Sequence, residues 1–348
     1  MTAVLLSLLL AADPATTVPP GRVSLTGAEK TLGDAAASLS RQANVLIDLE
    51  RAVKTQPLQL RFDSLPFWEA LERLAKAANH RLVVEAQGSR IALLGGPGVS
   101  YRPMPLYIFG PFRVSARRVI SRLDLDTGLA STELFIDVVW EPRFRAFHAE
   151  VPAKSWSARD EAGKPLPIGD DGSGKMSVTG TGLDLTARLP GLPRTVQKIA
   201  RLDGKLVLVG TSESLQFTFD ASAAGDGSAQ TKAGVGATLK SFKKAGPFWT
   251  AAVEFAYPPG GPEFESFQSY LRDNEVWLLR GDGVKFPAIG FELGAEHNGR
   301  TTVLYRFKEN EKDGPVLTNV KEWKLVVRAP GRITEVAVPF TLTDVPLR

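Results

Sequence analysis

LQLRFDSLPFWEALERLAKAANHRLVVEAQGSRIALL, residues 58–94, sets the reading of the fold. Leu58, Leu60 and Phe62 alternate with Gln59 and Arg61, the two-residue period of a half-buried strand. The period then changes to that of a helix. Ser64 stands as a cap, Pro66 suits the first turn, and Phe67, Ala70, Leu71, Leu74 and Ala78 form one apolar stripe that Asn79 ends. Leu82–Glu85 and Arg90–Leu94, separated by residues 86–89 with Gly88, read as a closing hairpin.

Upstream the same alternation holds. After the Pro-rich residues 18–21, Arg22–Leu25 reads as a strand. Leu32, Ala35, Ala36 and Leu39 recur at helical spacing from Thr31 to Ala43, and Asn44 closes that helix before the apolar strand Val45–Asp48. The expected order over residues 22–96 is βαββαββ.

TLGDAAASLSRQANV, then VLIDL, a polar spacer, LQLRF and FWEALERLAKAANHRLVVEAQGSRIAL resemble, in order and spacing, the STN domain, the short N-terminal domain shared by secretins and TonB-dependent signalling transporters. The resemblance covers almost all of residues 22–96. It implies an envelope protein whose small domain docks other periplasmic domains, and it brings no catalytic residue with it. The chain departs from the family's usual context, because no plug and long barrel and no secretin channel domain follow.

The first 15 residues, MTAVLLSLLLAADPA, carry an apolar run from Val4 to Ala12 that ends in small residues, the form of a signal-peptide core, although no Lys or Arg precedes it. It is too short to span a bilayer, and no later stretch approaches the roughly 18 uninterrupted apolar residues of a membrane helix. The expected location is therefore exported, periplasmic or associated with the outer membrane.

The Gly/Pro cluster at 95–105 (GGPGVSYRPMP) reads as a linker, after which helical periodicity fades. Alternating runs at Phe112–Val119, Ser131–Trp140, Ser155–Arg159, Leu183–Leu189, Leu206–Val209 and Leu215–Phe219 read as strands of one sandwich, residues 106–220. A connector is expected over Ala221–Gly234. Runs at Thr238–Lys243, Thr250–Ala256, Ser266–Asp273, Val276–Arg280, Ala288–Leu293, Thr301–Phe307, Glu322–Arg328 and Thr334–Thr341 read as a second sandwich, residues 234–348. WSARDEAGKPLP (156–167) parallels WLLRGDGVKFP (277–287), each a Trp strand, an acidic-glycine turn and a return strand. The expected class is thus multidomain, an α+β module followed by two immunoglobulin-like β-sandwiches, with one larger distorted sandwich as the alternative and both Trp residues expected in cores.

The chain has 348 residues, 42 Lys and Arg against 38 Asp and Glu, and no Cys. A net charge of +4 does not imply a nucleic-acid partner. The lack of Cys excludes disulfides, thiolate nucleophiles and Cys-held metals. Gly169–Ser177 (GDDGSGKMS) has the spacing of a phosphate-binding loop, but Met176 replaces the magnesium-binding hydroxyl and Asp170 and Asp171 repel phosphate, so it reads as a turn. His80, His148 and His297 fall one in each module, with His80 placed to favour a helix dipole. Asp124 with Asp126, and Asp170 with Asp171, could hold calcium in turns but read as solvated. Arg113, Arg117, Arg118 and Arg122 read as an exposed strand face.

No catalytic, cofactor-binding or metal residue is assigned. The functional expectation is a non-catalytic envelope docking or scaffold protein with a protein partner. The alternative is a secreted carbohydrate-acting enzyme or a sugar- or surface-binding adhesin.

Overall fold

The computed structural model describes residues 18–85, 90–169, 174–178, 180–193, 195–258, 271, 274–297, 300–308 and 319–347. The signal-like segment 1–15, residues 86–89, Asp170 and Asp171 lie outside these, as does the expected strand Ser266–Asp273 apart from Leu271.

Residues 22–94 run β1 (Arg22–Leu25), α1 (Leu32–Ala43), β2 (Ile47–Glu50), β3 (Phe62–Pro66), α2 (Phe67–Ala78), β4 (Arg81–Val84) and β5 (Ile91–Leu94). Both helices end where asparagine takes the left-handed conformation: Asn44 at φ 51° and Asn79 at φ 54°. Thr31 and Asp34 form a reciprocal capping box on α1. Ser64 departs from its expected role. It lies inside β3 at φ 49°, and Pro66 occupies the cap of α2 without a side-chain hydrogen bond. The strand expected over Leu58–Phe62 starts only at Phe62, because residues 57 and 58 are spent on Thr31 and Lys30 beside the start of α1. The sheet is split: β1 pairs with β3, while β2, β5 and β4 form a second sheet in which β2 runs parallel to β5.

Beyond residue 105 the chain is mostly β-strand in several sheets. β6 (Leu106–Phe109), β7 (Phe112–Leu123), β8 (Ala130–Trp140) and β13 (Gly182–Pro190) form a sheet in the order β13-β8-β7-β6. β9 (Arg145–Val151), β10 (Ser157–Asp160), β11 (Pro165–Leu166), β12 (Gly174–Ser177) and β14 (Lys198–Thr211) form another, in the order β11-β10-β14-β9-β12, with β24 (Thr334–Pro346) also paired to β14. Gly204 on β14 lies under the Phe340 ring of β24. A Cβ there would sit 2.2 Å from the ring, so only glycine fits.

The remaining strands are β15 (Ser214–Asp220), β16 (Gln230–Lys232), β17 (Val235–Ala245), β18 (Phe248–Ala256), β19 (Glu275–Arg280), β20 (Lys285–Pro287), β21 (Gly290–His297), β22 (Arg300–Lys308) and β23 (Trp323–Pro330). They make two sheets, β15-β23-β19-β20 and β16-β17-β18-β22-β21. One core joins the two: Phe217, Phe219, Leu278, Leu325 and Val327 from the first sheet pack with Val253, Phe255, Val303, Tyr305 and Phe307 from the second.

Two compact units result, with boundaries unlike those read from the sequence. The first holds the described residues up to Pro142, then His148–Leu208 and Val336 onward. The second holds Arg143–Phe147 and Val209–Glu335. β15 moves to the second unit because it pairs with β23, and most of β24 moves to the first because it pairs with β14. The expected connector 221–234 is internal to the second unit, where Gln230–Lys232 pairs with β17 and the Ser228 hydroxyl bonds Gly225 and Leu239.

The Gly/Pro stretch 95–105 likewise does not separate domains, because residues 22–94 belong to the same unit as the sheet of β6, β7, β8 and β13. The outer face of that sheet carries the contact. Val139 joins the core of the helical module, Trp68 Nε1 donates to the Pro111 carbonyl at 2.8 Å, and Arg113 Nη2 meets Glu72 Oε1 at 2.9 Å with both side chains largely buried. Gly21 N donates to both Glu141 carboxylate oxygens, at 3.0 and 2.8 Å. Removing one member of a buried pair strands the other charge, whereas replacing both with apolar groups does not. Glu72→Gln is expected to cost about 3 kcal/mol in urea unfolding, and Glu72→Leu with Arg113→Met is expected to cost less than the single change. A single change within 0.5 kcal/mol of wild type would show that the pair does not hold the module.

Candidate functional site

A concave feature lies on the helical module, between α1 and β2. Gly33, Ala36, Ala37 and Ser40 recur at helical spacing along the α1 side, and their small side chains leave a trough of about 990 Å³ against Leu46–Arg51. Ile47 and Leu49 supply its apolar part, and Leu46 stands 74% exposed at its edge. Among the described residues β2 pairs with no strand besides β5, so its other edge carries no strand.

The charges around the trough fall into two groups. Arg90 binds Asp48 through Nε at 2.9 Å, Glu50 at 3.4 Å and Glu85 at 3.0 Å, and these carboxylates push its guanidinium pKa upward, Asp48 foremost. Arg90 thereby offsets one of the two charges on Asp48 and Glu50, and the lining as a whole carries four cations against two acids. Arg41, Arg51 and Lys54 are exposed at the trough and make no ion pair among the described residues. The site is therefore a cationic, partly apolar groove alongside a free strand edge.

A second polar cluster lies on the outer face of the β7–β8–β13 sheet. Asp137 stands between Ser115 on β7 and Asp184 on β13. Arg113 Nη1 donates to the Ser115 hydroxyl at 3.0 Å, continuing the chain from Glu72. Arg117 reaches Asp137 at 3.2 Å and Asp184 at 3.8 Å. Its Nε attracts Asp137 Oδ1 by charge but stands off the hydrogen-bond line, so that buried oxygen accepts no hydrogen bond. Burial pushes the Asp137 carboxyl up to about 6; Arg117 opposes this and Asp184 adds to it. The two carboxylates are cross-strand neighbours and do not face each other across a cleft.

The residues singled out in the sequence are dispersed. Arg113 is buried, contrary to the expected exposed face, because the helical module covers it. Arg117 pairs with acids, Arg118 lies 4.2 Å from the Phe135 ring centroid, and Arg122 is exposed. His80 is buried, Nδ1 donating to the Ala78 carbonyl at 2.6 Å, and Nε2 without a partner. Gly95 permits this, since a Cβ there would lie 2.5 Å from Nε2. His148 is on β9, opposite Ser177, and His297 is on β21.

Asp124 Oδ1 accepts the amides of Thr127 at 2.8 Å and Asp126 at 3.0 Å, which hold its carboxyl below the usual range. It closes the β7–β8 turn. Residues 174–177 of the glycine-rich stretch form β12, Met176 pairing with Ala149, where a phosphate loop would open a helix.

Neither Trp of the paired motifs is fully buried. Trp156 packs edge-on against Phe340 at 5.3 Å, while Trp277 lies between Lys285 and Arg328 on the face of β19 opposite Val276 and Leu278. The motifs do share a turn. Gly163 N bonds Asp160 O and Gly283 N bonds Arg280 O, with both glycines at positive φ, 78° and 91°.

The sequence reading missed the groove and Asp137. The small-residue spacing of α1 was a visible signal for the first. Nothing local marks Asp137, whose environment comes from β7, β13 and α2.

No family model matches the chain, and no curated protein matches it. Among solved structures, bovine butyrophilin is 10% identical over 60% of this chain and 90% of its own, with a TM-score of 0.16. A conserved domain protein from Bacillus anthracis is 11% identical over 68% and 89%, with a TM-score of 0.18. At these scores neither likeness carries an argument.

Because the Asp137 pKa is higher folded than its ordinary 3.8, the folded state binds the proton more tightly, and ionisation lowers stability as pH rises from about 4 to about 6. Asp137→Asn is expected to match wild type in thermal melting at pH 3.5 and to gain about 2 kcal/mol by pH 7.5. Equal melting at both pH values would show that the carboxyl carries no such penalty.

Proposed function

We propose that this chain is an exported, non-catalytic docking or scaffold protein of the cell envelope, periplasmic or associated with the outer membrane, which binds a partner protein along the α1–β2 groove. The observation that carries the reading is the open edge of β2 beside a groove rimmed by Arg41, Arg51 and Lys54. Edge strands are templates for pairing, and addition of an extended segment is a recurrent mode of protein recognition. The resemblance of residues 22–96 to the STN domain and the signal-like start support that compartment. No helix in the described residues is long and apolar enough to cross a membrane.

The test places a photo-crosslinking residue at Leu46, with a control at Leu125 on the β7–β8 turn, in tagged full-length protein expressed in its native host. The expected result is a processed N-terminus in the envelope fraction and one stoichiometric adduct from Leu46, lost with Arg41→Glu/Lys54→Glu. An unprocessed cytosolic protein would overturn the location, and the same adducts from both positions would overturn the docking site.

A further inference from the structure

We infer that the segment received by this groove is extended and acidic, and that it adds as a strand to the outer edge of β2; this rests on the docking reading above. Glu50 O accepts the amide of Gly95, so the main-chain groups of Asp48 and Glu50 face β5 and those of Ile47 and Leu49 face outward. The Ser40 hydroxyl takes the Ile47 amide at 3.1 Å. The Ile47 carbonyl and the Leu49 amide and carbonyl remain as three main-chain groups aimed away from the sheet, with no strand among the described residues paired to them. These positions define a short ladder for one incoming strand, about 7 Å long at the rise of an extended chain.

The charges select the sequence of that strand. Asp48 and Glu50, which would repel an acidic segment, share Arg90, whose charge offsets one of theirs, and the lining keeps an excess of four cations over two acids. Arg41, Arg51 and Lys54, which make no ion pair among the described residues, come from α1 and from the turn after β2, so they flank the edge. The small side chains of Ala36, Ala37 and Ser40 line the trough that would take side chains from one face of the incoming strand, and exposed Leu46 offers an apolar contact. A strand alternating carboxylates with aliphatic residues satisfies the ladder, the cations and the trough together. A basic strand would meet three uncompensated like charges.

The experiment uses the full chain and three fluorescein-labelled eight-residue peptides of one alternating pattern, Glu/Val, Gln/Val and Lys/Val, read by fluorescence anisotropy and by amide hydrogen exchange. The Glu/Val peptide is expected to bind at least tenfold more tightly than Gln/Val, to weaken as salt rises, to weaken at least tenfold with Arg41→Glu/Lys54→Glu, and to slow exchange of the Leu49 amide. Thermal melting shows whether the double variant is folded. Equal binding of Gln/Val and Glu/Val with Leu49 protected would overturn the acidic preference and leave the docking reading standing. Binding without protection of Leu49 would overturn strand addition, and failure of all three peptides to bind would overturn both readings.

Discussion

Arg113 is a guanidinium almost fully withdrawn from water on the face of a β-sheet, and it is paired with Glu72, supplied by a helix from a different part of the chain. Burying such a charge is costly unless its partner is held in place, so the pair tolerates little displacement of α2 over β7. Trp68, one turn before Glu72, adds a large apolar surface and an indole N–H bonded to the Pro111 carbonyl. Together these residues fix which side of the helical module is covered and which is left to solvent.

That division explains the location of the groove. α2 is buried along most of its length, through Phe67, Trp68, Ala70, Leu71, Leu74, Ala75 and Ala78, because it serves both its own module and the adjoining sheet. α1 buries a narrower stripe, Leu32, Ala35, Ala36 and Leu39, and keeps its small-residue side next to β2. β2 lies at the end of its sheet, where a free edge would be an aggregation hazard. Its four-residue length, the Ser40 hydroxyl and the surrounding charges limit that hazard without closing the edge.

The Asp137 cluster is another consequence of covering one sheet face. Inward-facing Leu134, Ile136, Val138 and Trp140 of β8 alternate with Phe135, Asp137 and Val139 on the outer face, which in a solvated sheet would be the polar side. The helical module covers Val139 and Arg113 there, and Asp137, one pleat away, is largely excluded from water beside Asp184. Its raised pKa follows from that position.

Local sequence determined most of the elements of this protein. Period-two runs placed most of the strands, and the asparagines at 44 and 79 ended both helices because they accept the left-handed conformation at low cost. β9 escaped because aromatic and basic residues blur its alternation, and Ser64 misled because its place in β3 outweighed its capping preference. Tertiary structure alone decided the partners. That β15 pairs with β23, that β24 returns to β14, that Arg113 is buried, and that Arg90 pairs with Asp48 and Glu50 all depend on residues tens to hundreds of positions apart. Periodicity records which face of an element is apolar, whereas pairing and charge compensation are set by what the fold brings against that face.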